Sequence, residues 1–268
     1  MLTTRPPHRP IDAYVPTRDE RASIFDPMRH ATSAEPSSWF IAATRAAKRD
    51  RPTVGLLIPP VFDAYLRIFH PAGRDVRGAP PESVRWRDIA AAHGRTLVEE
   101  LSHLGRSMLP ARVALDGEKL WDADPQLGNL PYEVAVHITP KLALHTTTPN
   151  ECYFAVWTGF AAVDLSWRTA PTFSAPLRTY YLLQGDISDA LVTFDFNERR
   201  YRSPSVWWPA DHAWCVATEV DDRWTYVGGS ARCIDALLAD VELEAVSTRS
   251  DELLPFSTAP FAPILGRS

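Results

Sequence analysis

From residue 152 onward the chain is a succession of short runs rich in Tyr, Trp, Val and Thr, each closed by Gly, Pro, Asp or Asn. The runs are Cys152–Trp157, Leu177–Gln184, Leu191–Phe196, Val206–Trp208, Ala213–Val220 and Trp224–Val227, and Leu243–Thr248 adds one more. β-Branched and aromatic residues suit a pleated surface and the breakers end each run, so the spacing predicts an antiparallel sheet. Ser230 then caps a predicted helix over Ala231–Ala239, with Ile234, Leu237, Leu238 and Val241 on one face. Strands and helices do not alternate one for one. The expected fold class is therefore α+β, a largely antiparallel sheet with a few flanking helices, in preference to a doubly wound parallel sheet.

The first half reads differently. Twelve of the 24 prolines fall within the first 81 residues. Residues 1–50 read as an extended Pro/Arg-rich arm with a short helix near its end, starting at Trp39 after Pro36-Ser37-Ser38. Residues 51–268 read as one α+β domain with a Pro-rich tail that carries Phe256 and Phe261. In Val61–His70, a strand would carry Phe62, Ala64, Leu66 and Ile68 on one face, and would mix Asp63 and Arg67 with Tyr65 and Phe69 on the other. That pattern predicts one dry face. Two helical pieces broken at Gly94 are expected over Trp86–Leu104. Between Pro131 and His145, Val134, Ile138 and Leu142 keep helical spacing, with Pro140 predicting a kink or restart.

Charge and hydropathy exclude several function classes. The net charge is −5, and the densest basic cluster, Arg199, Arg200 and Arg202, is too short for a nucleic-acid face. The longest uncharged stretch, Leu253–Gly266, has 14 residues and three prolines, below the roughly 18 that a membrane span needs. The N-terminus has no apolar core of a secretory signal, and Cys152, Cys215 and Cys233 are odd in number and far apart. They read as reduced thiols in a cytoplasmic protein. No cofactor is implied.

Four of the nine tryptophans lie within the 18 residues Trp207–Trp224. Strand alternation places Trp214, Val216, Thr218 and Val220 on a core face and Cys215, Ala217, Glu219 and Asp221 on the other. A functional reading makes Trp207 and Trp208 a platform beside Asp211, His212, Glu219 and Asp221, which together would hydrogen-bond a polar ligand. A structural reading has the indoles filling the core or a sheet edge and the acids paired with arginines such as Arg178 or Arg223. The histidine spacings give no helical metal pair, and no metal site is assigned, with His70, His145 and His212 as the residues for a weaker metal reading. Gly228-Gly229-Ser230, between a strand and a helix, could cradle an anion, although it matches no phosphate-loop pattern. No Gly-x-Ser-x-Gly elbow occurs.

The run from Trp207-Trp208-Pro209 to Glu219-Val220-Asp221, followed by Thr225-Tyr226-Val227-Gly228-Gly229-Ser230, resembles a family of uncharacterised proteins from high-GC Gram-positive bacteria. Pro60 to Pro71 and His145-Thr146-Thr147-Thr148-Pro149 resemble the same family in order, and the pieces together cover most of residues 54–246. The family pattern carries arginine where His212 stands here. The resemblance implies one continuous domain and cytosolic life, and carries over no catalytic residue. The expected function is a non-catalytic binding or interaction protein, accessory or immunity-like, engaging a protein partner or a small polar ligand through Trp207, Trp208, Asp211, His212, Glu219 and Asp221. The alternative is a hydrolase or transferase with Asp211, His212 and Glu219 as an acid–base set in a Trp-lined pocket.

Overall fold

The computed structural model describes residues 28–47, 52–77, 82–104, 111–197 and 200–254. The first 27 residues of the predicted arm and the tail with Phe256 and Phe261 lie outside the described residues.

The strands are β1 (Arg29–His30), β2 (Ala64–Phe69), β3 (Ala72–Arg74), β4 (Glu82–Val84), β5 (Cys152–Trp157), β6 (Thr172–Ser174), β7 (Thr179–Gly185), β8 (Val206–Pro209), β9 (Trp214–Ala217), β10 (Trp224–Gly229) and β11 (Ala245–Thr248). The helices are α1 (Ser38–Ala46), α2 (Trp86–Ala92), α3 (Leu97–Leu104), α4 (Tyr132–Ala143) and α5 (Ala231–Leu238). One large sheet runs β1-β7-β5-β8-β9-β10-β2-β11, with β6 also on β7, and β3 and β4 form a separate hairpin. Every ladder between these strands is antiparallel. The β2–β10 ladder, as long as that of β5 and β7, pairs Trp224 with Phe69 and ends with Gly229 opposite Ala64.

Both faces of this sheet are covered, so the strand over residues 64–69 is dry on two sides and not one. Leu66 and Ile68 join Phe154, Trp207, Trp214 and Val216 in a core beneath α4 and α5. Tyr65 and Phe69 join Trp208, Cys215, Trp224 and Tyr226 in a second core, which takes in Phe40 of α1 and Val54, Leu57 and Ile58. The expectation of a wet face rested on Asp63, which falls before β2, and on Arg67. That guanidinium lies with its Cζ 5.2 Å from the Phe69 ring centroid and 5.4 Å from that of Trp224, so the aromatic face accommodates a charge without facing bulk water. A third, smaller cluster joins Ala72, Val84, Ile89, Leu120 and Trp121.

Local rules account for the helices. Ser230 accepts a hydrogen bond from Cys233 N at 3.3 Å, and α5 buries Cys233, Ile234 and Leu237. Burying the two larger aliphatics contributes roughly 1.5–3 kcal/mol each before ordering costs. The chain leaves α2 through Gly94, at φ +67°, and restarts at Leu97, as its sequence predicts. Pro140 sits inside α4 without splitting it, leaving Val136 C=O without its usual donor. The predicted strand Leu191–Phe196 is not one. Asp186 and Asp189 cap each other's backbone and start a 3-10 turn over Ile187–Leu191, and Asp195 makes only an isolated bridge to Val163.

Gly228 and Gly229 lie inside β10, so the predicted strand-to-helix turn there is corrected. A Cβ on Gly228 would meet Phe62 Cδ2 at 2.5 Å and Ile58 Cγ2 at 2.9 Å. The first glycine serves aromatic packing, not an anion cradle.

The start of α2 is held from across the sheet. Glu244, 5% exposed, accepts from Trp86 N and Arg87 N at 2.6 Å each and pairs with Arg87 Nε at 3.3 Å. A carboxylate there meets the unpaired N–H groups and positive end of the helix. Glu244→Ala strands those donors in a largely buried setting and should cost about 2–3 kcal/mol. Urea unfolding would check this; a loss below about 0.5 kcal/mol would mean that water replaces the carboxylate freely.

Candidate functional site

The six residues singled out in the sequence do not form one surface. Trp207 and Trp208 are consecutive in β8 and point to opposite faces. Trp207 stacks on Phe154 at 6.3 Å and meets Trp214 edge-on at 5.0 Å. Trp208 stacks on Phe40 at 5.6 Å and on Tyr153 at 6.0 Å. Neither ring is more than 1% exposed, so the expected aromatic platform is corrected to two back-to-back core anchors. Trp214 and Trp224 are likewise buried.

Asp211 and His212 occupy the turn between β8 and β9. Asp211 accepts from Thr147 N at 2.6 Å, Thr147 Oγ1 at 2.8 Å, Thr146 Oγ1 at 2.8 Å and Ala213 N at 3.1 Å, while its own N–H donates to Thr148 Oγ1. Partial burial would raise its pKa, but these donors outweigh it and hold the carboxyl below its ordinary value. It locks the Thr146–Thr148 loop and has little capacity left for a ligand. His212 sits at φ +56° and stacks on Trp39 of α1, ring centroids 4.2 Å apart. Burial lowers its pKa, against the pull of Asp211.

Glu219 and Asp221 lie beyond the other end of β9. His212 and Glu219 are seven positions apart, on the order of 20 Å of extended chain. The acid–base set Asp211, His212 and Glu219 is therefore not assembled. Arg178 instead bridges the two acids: its Nε donates to Glu219 at 3.0 Å, and one terminal nitrogen contacts both Glu219 and, at 2.9 Å, Asp221. Arg178 also stands over Trp157, at 5.3 Å. Glu219 is 2% exposed and Asp221 is open to solvent. Burial raises the Glu219 pKa and Arg178 opposes it.

Next to this pair the fold assembles groups that the sequence reading passed over. Asp222 is fully buried, and neither carboxylate oxygen has a hydrogen-bond partner. Its neighbours Trp224 and Arg67 each keep a buried N–H, Nε1 and Nε, with no acceptor at full hydrogen-bond geometry. The Trp224 indole N–H, as a loose hydrogen-bond donor, and the Arg67 guanidinium, by its charge, both favour the ionised Asp222, and both also face the Tyr226 hydroxyl. Burial first, then Glu219 and Asp221, push the Asp222 pKa well above its ordinary value. Tyr226, paired across the ladder with Arg67, closes the group. Arg67 also comes within 4.0 Å of Glu252. Behind the group, Gly128 N donates to Asp222 O at 2.8 Å, and Gly128 lies directly against Val220. Two signals for this cluster were present in the sequence: an arginine between Tyr65 and Phe69, and the shared parity of residues 222, 224 and 226.

Metal chemistry finds no set of ligands here: among the described residues no three His, Cys, Asp or Glu side chains group to hold an ion. His70 uses both ring nitrogens, Nδ1 toward Gln126 O at 2.7 Å and Nε2 toward Thr225 Oγ1 at 2.9 Å. The three cysteines are free and buried. Among the described residues no helix is long and apolar enough to cross a membrane. The chain matches no protein-family profile, no curated protein and no solved structure.

Proposed function

We propose that this is a cytoplasmic, non-catalytic binding protein of the α+β class, and that it engages a small polar ligand at the cluster of Arg67, Asp222, Trp224 and Tyr226 beside the Arg178-bridged acids. With it goes the proposal that the Trp-rich run belongs to the high-GC Gram-positive family that it resembles. The observation that carries the reading is the orphaned Asp222 carboxylate. Leaving a buried acid without a partner costs several kcal/mol, and native folds leave few such groups unmet. Here one acid meets an arginine, an indole N–H and a phenol in contacts too loose to satisfy it fully, which leaves it able to take a further donor from a separate molecule. The net charge of −5 favours a small ligand over nucleic acid.

Asp222→Asn separates a binding role from a structural one. Asparagine is nearly isosteric and cannot ionise, so it should leave the melting temperature of ligand-free protein within a few degrees of wild type, because burial already disfavours the charged form of Asp222. Native mass spectrometry after incubation with a small-metabolite extract should show an added mass on the wild-type chain that the variant lacks. A bare chain in both, together with a melting temperature lowered by the substitution, would mark Asp222 as a purely structural acid and overturn the reading.

A further inference from the structure

The two edges of the large sheet are finished differently. At one, β7 is flanked only by β1 and β6, strands of two and three residues. At the other stands β11, four residues long and paired with β2 alone. Very short strands, lysines, prolines and bulges keep a sheet edge from pairing with another chain. β11 reads Ala-Val-Ser-Thr, with neither a charge nor a proline.

The register shows which backbone groups of this edge are open. Phe69 N donates to Glu244 O at 2.8 Å, so residue 244 turns its backbone groups inward to β2, and alternation turns those of Val246 and Thr248 the same way. The N–H and C=O of Ala245 and Ser247 therefore point outward. Among the described residues no ladder or loop supplies them with a backbone partner. Ser247 is exposed, and Ala245 and Val246 are half-buried. Val241, 62% exposed, lies on the connection that brings the chain from α5 to this edge.

We infer that this edge pairs with the same edge of a second copy of the chain, antiparallel and centred on Val246. The open residues stand one on each side of Val246, so a two-fold axis there sets Ala245 of each copy opposite Ser247 of the other, and each pair exchanges two backbone hydrogen bonds. Val246 meets its own equivalent at a non-hydrogen-bonded position, where side chains approach most closely. A shift of one residue would set open groups against inward-turned ones. Charge favours the match: from Leu243 to Arg249 the only charged residues are Glu244 and Arg249, which fall opposite Thr248 and Leu243 of the second copy, so no like charges are opposed. Four residues a side fall short of the roughly 800 Å² per partner of a standard interface, so the dimer is weak, with a Kd on the order of 100 μM.

The test uses the full chain in sedimentation equilibrium from about 10 μM to about 1 mM. Wild type should pass from monomer to dimer over this range and go no further, because two-fold pairing uses up the edge. Ser247→Pro removes an outward N–H and none that β2 uses, and Ser247→Lys adds the usual edge guard; each should weaken the dimer at least tenfold with an unchanged circular dichroism spectrum. Should the proline variant unfold, the lysine variant decides. Register is read by cross-linking with oxidised glutathione, which takes up the two electrons of each new disulfide and leaves as two reduced thiols. Val246→Cys on the axis sets its Cα atoms about 4.5 Å apart and should link into a dimer, while Ser247→Cys, more exposed but off the axis, should link at least tenfold more slowly. Cys152, Cys215 and Cys233 are buried and do not compete. A monomer throughout the range, growth beyond the dimer, a dimer indifferent to the lysine variant, or faster linking through residue 247 than through 246 would each overturn the inference.

Discussion

Gly128→Ala is expected to be among the most damaging single substitutions in the chain, costing roughly 4 kcal/mol by combining left-handed strain with overpacking. Gly128 has φ +65°, and a Cβ there would stand 2.3 Å from Val220 O and 2.8 Å from Val220 C and Cα. These are backbone atoms, with no flexible end to swing aside. The loop carrying Gly128 and the 219–222 turn are pressed together and joined by the bond from Gly128 N to Asp222 O, so relief must come from moving the turn. For a chain of this length the loss corresponds to about 10 °C in melting temperature, which calorimetry would read directly. Ligand binding at Asp222 should fall with it. A drop of under 2 °C would mean that the two loops separate at little cost and that the turn is not fixed from behind.

The second large effect concerns acid. His70 is fully buried, and burial lowers its imidazole pKa to about 4 against the pull of Gln126 O. Gln126 O can only accept, so Nδ1 carries the proton and Nε2 accepts from the Thr225 hydroxyl. Thr218 and Thr225 share a hydrogen bond at 2.7 Å, and protonating the ring would require the Thr225 hydroxyl to turn from donor to acceptor toward Nε2. The folded pKa lies below the unfolded value near 6.5, so this stabilisation is complete above pH 6.5 and is lost as pH falls toward 4. Over that window linkage gives a loss of about 3 kcal/mol. Glu219, Glu244 and Asp222 have raised pKa values and act the other way, gaining stability as they take up protons. The stability advantage of wild type over His70→Asn isolates the imidazole. It should shrink by about 3 kcal/mol between pH 7 and pH 4. A His70 ring that titrates near 6.5 by NMR would contradict the network.

What was legible in the sequence was local. The runs over residues 152–157 and 224–227 and the Ser230 cap are set by alternation and by a side chain reaching its own helix, and they stand where the pattern puts them. Misplaced features depend on partners far along the chain. Trp207 and Trp208 read as a platform because a lone strand does not reveal that its second face is covered; α1, about 160 residues earlier, supplies that cover. Gly228 reads as a turn residue until Phe62 and Ile58 are brought against it. Of the candidate residues, Glu219 and Asp221 do share an arginine, and Arg178 is one that their charge pattern suggested. Asp211 and His212 belong to the opposite end of β9. Asp222 was hidden by its company: the second of two aspartates in a turn looks solvated, and its burial depends on Gly128, 94 positions away.

The back-to-back indoles of β8 have a mechanical consequence. Each is clamped in a different layer, so the strand can neither slide nor roll without tearing packing on both sides at once. The neighbouring strands β9 and β10 inherit that stiffness through their ladders. The short connection between them thus hangs from a rigid rib. A guest seated there would find its contacts already aimed, and the chain would surrender little freedom in closing around it.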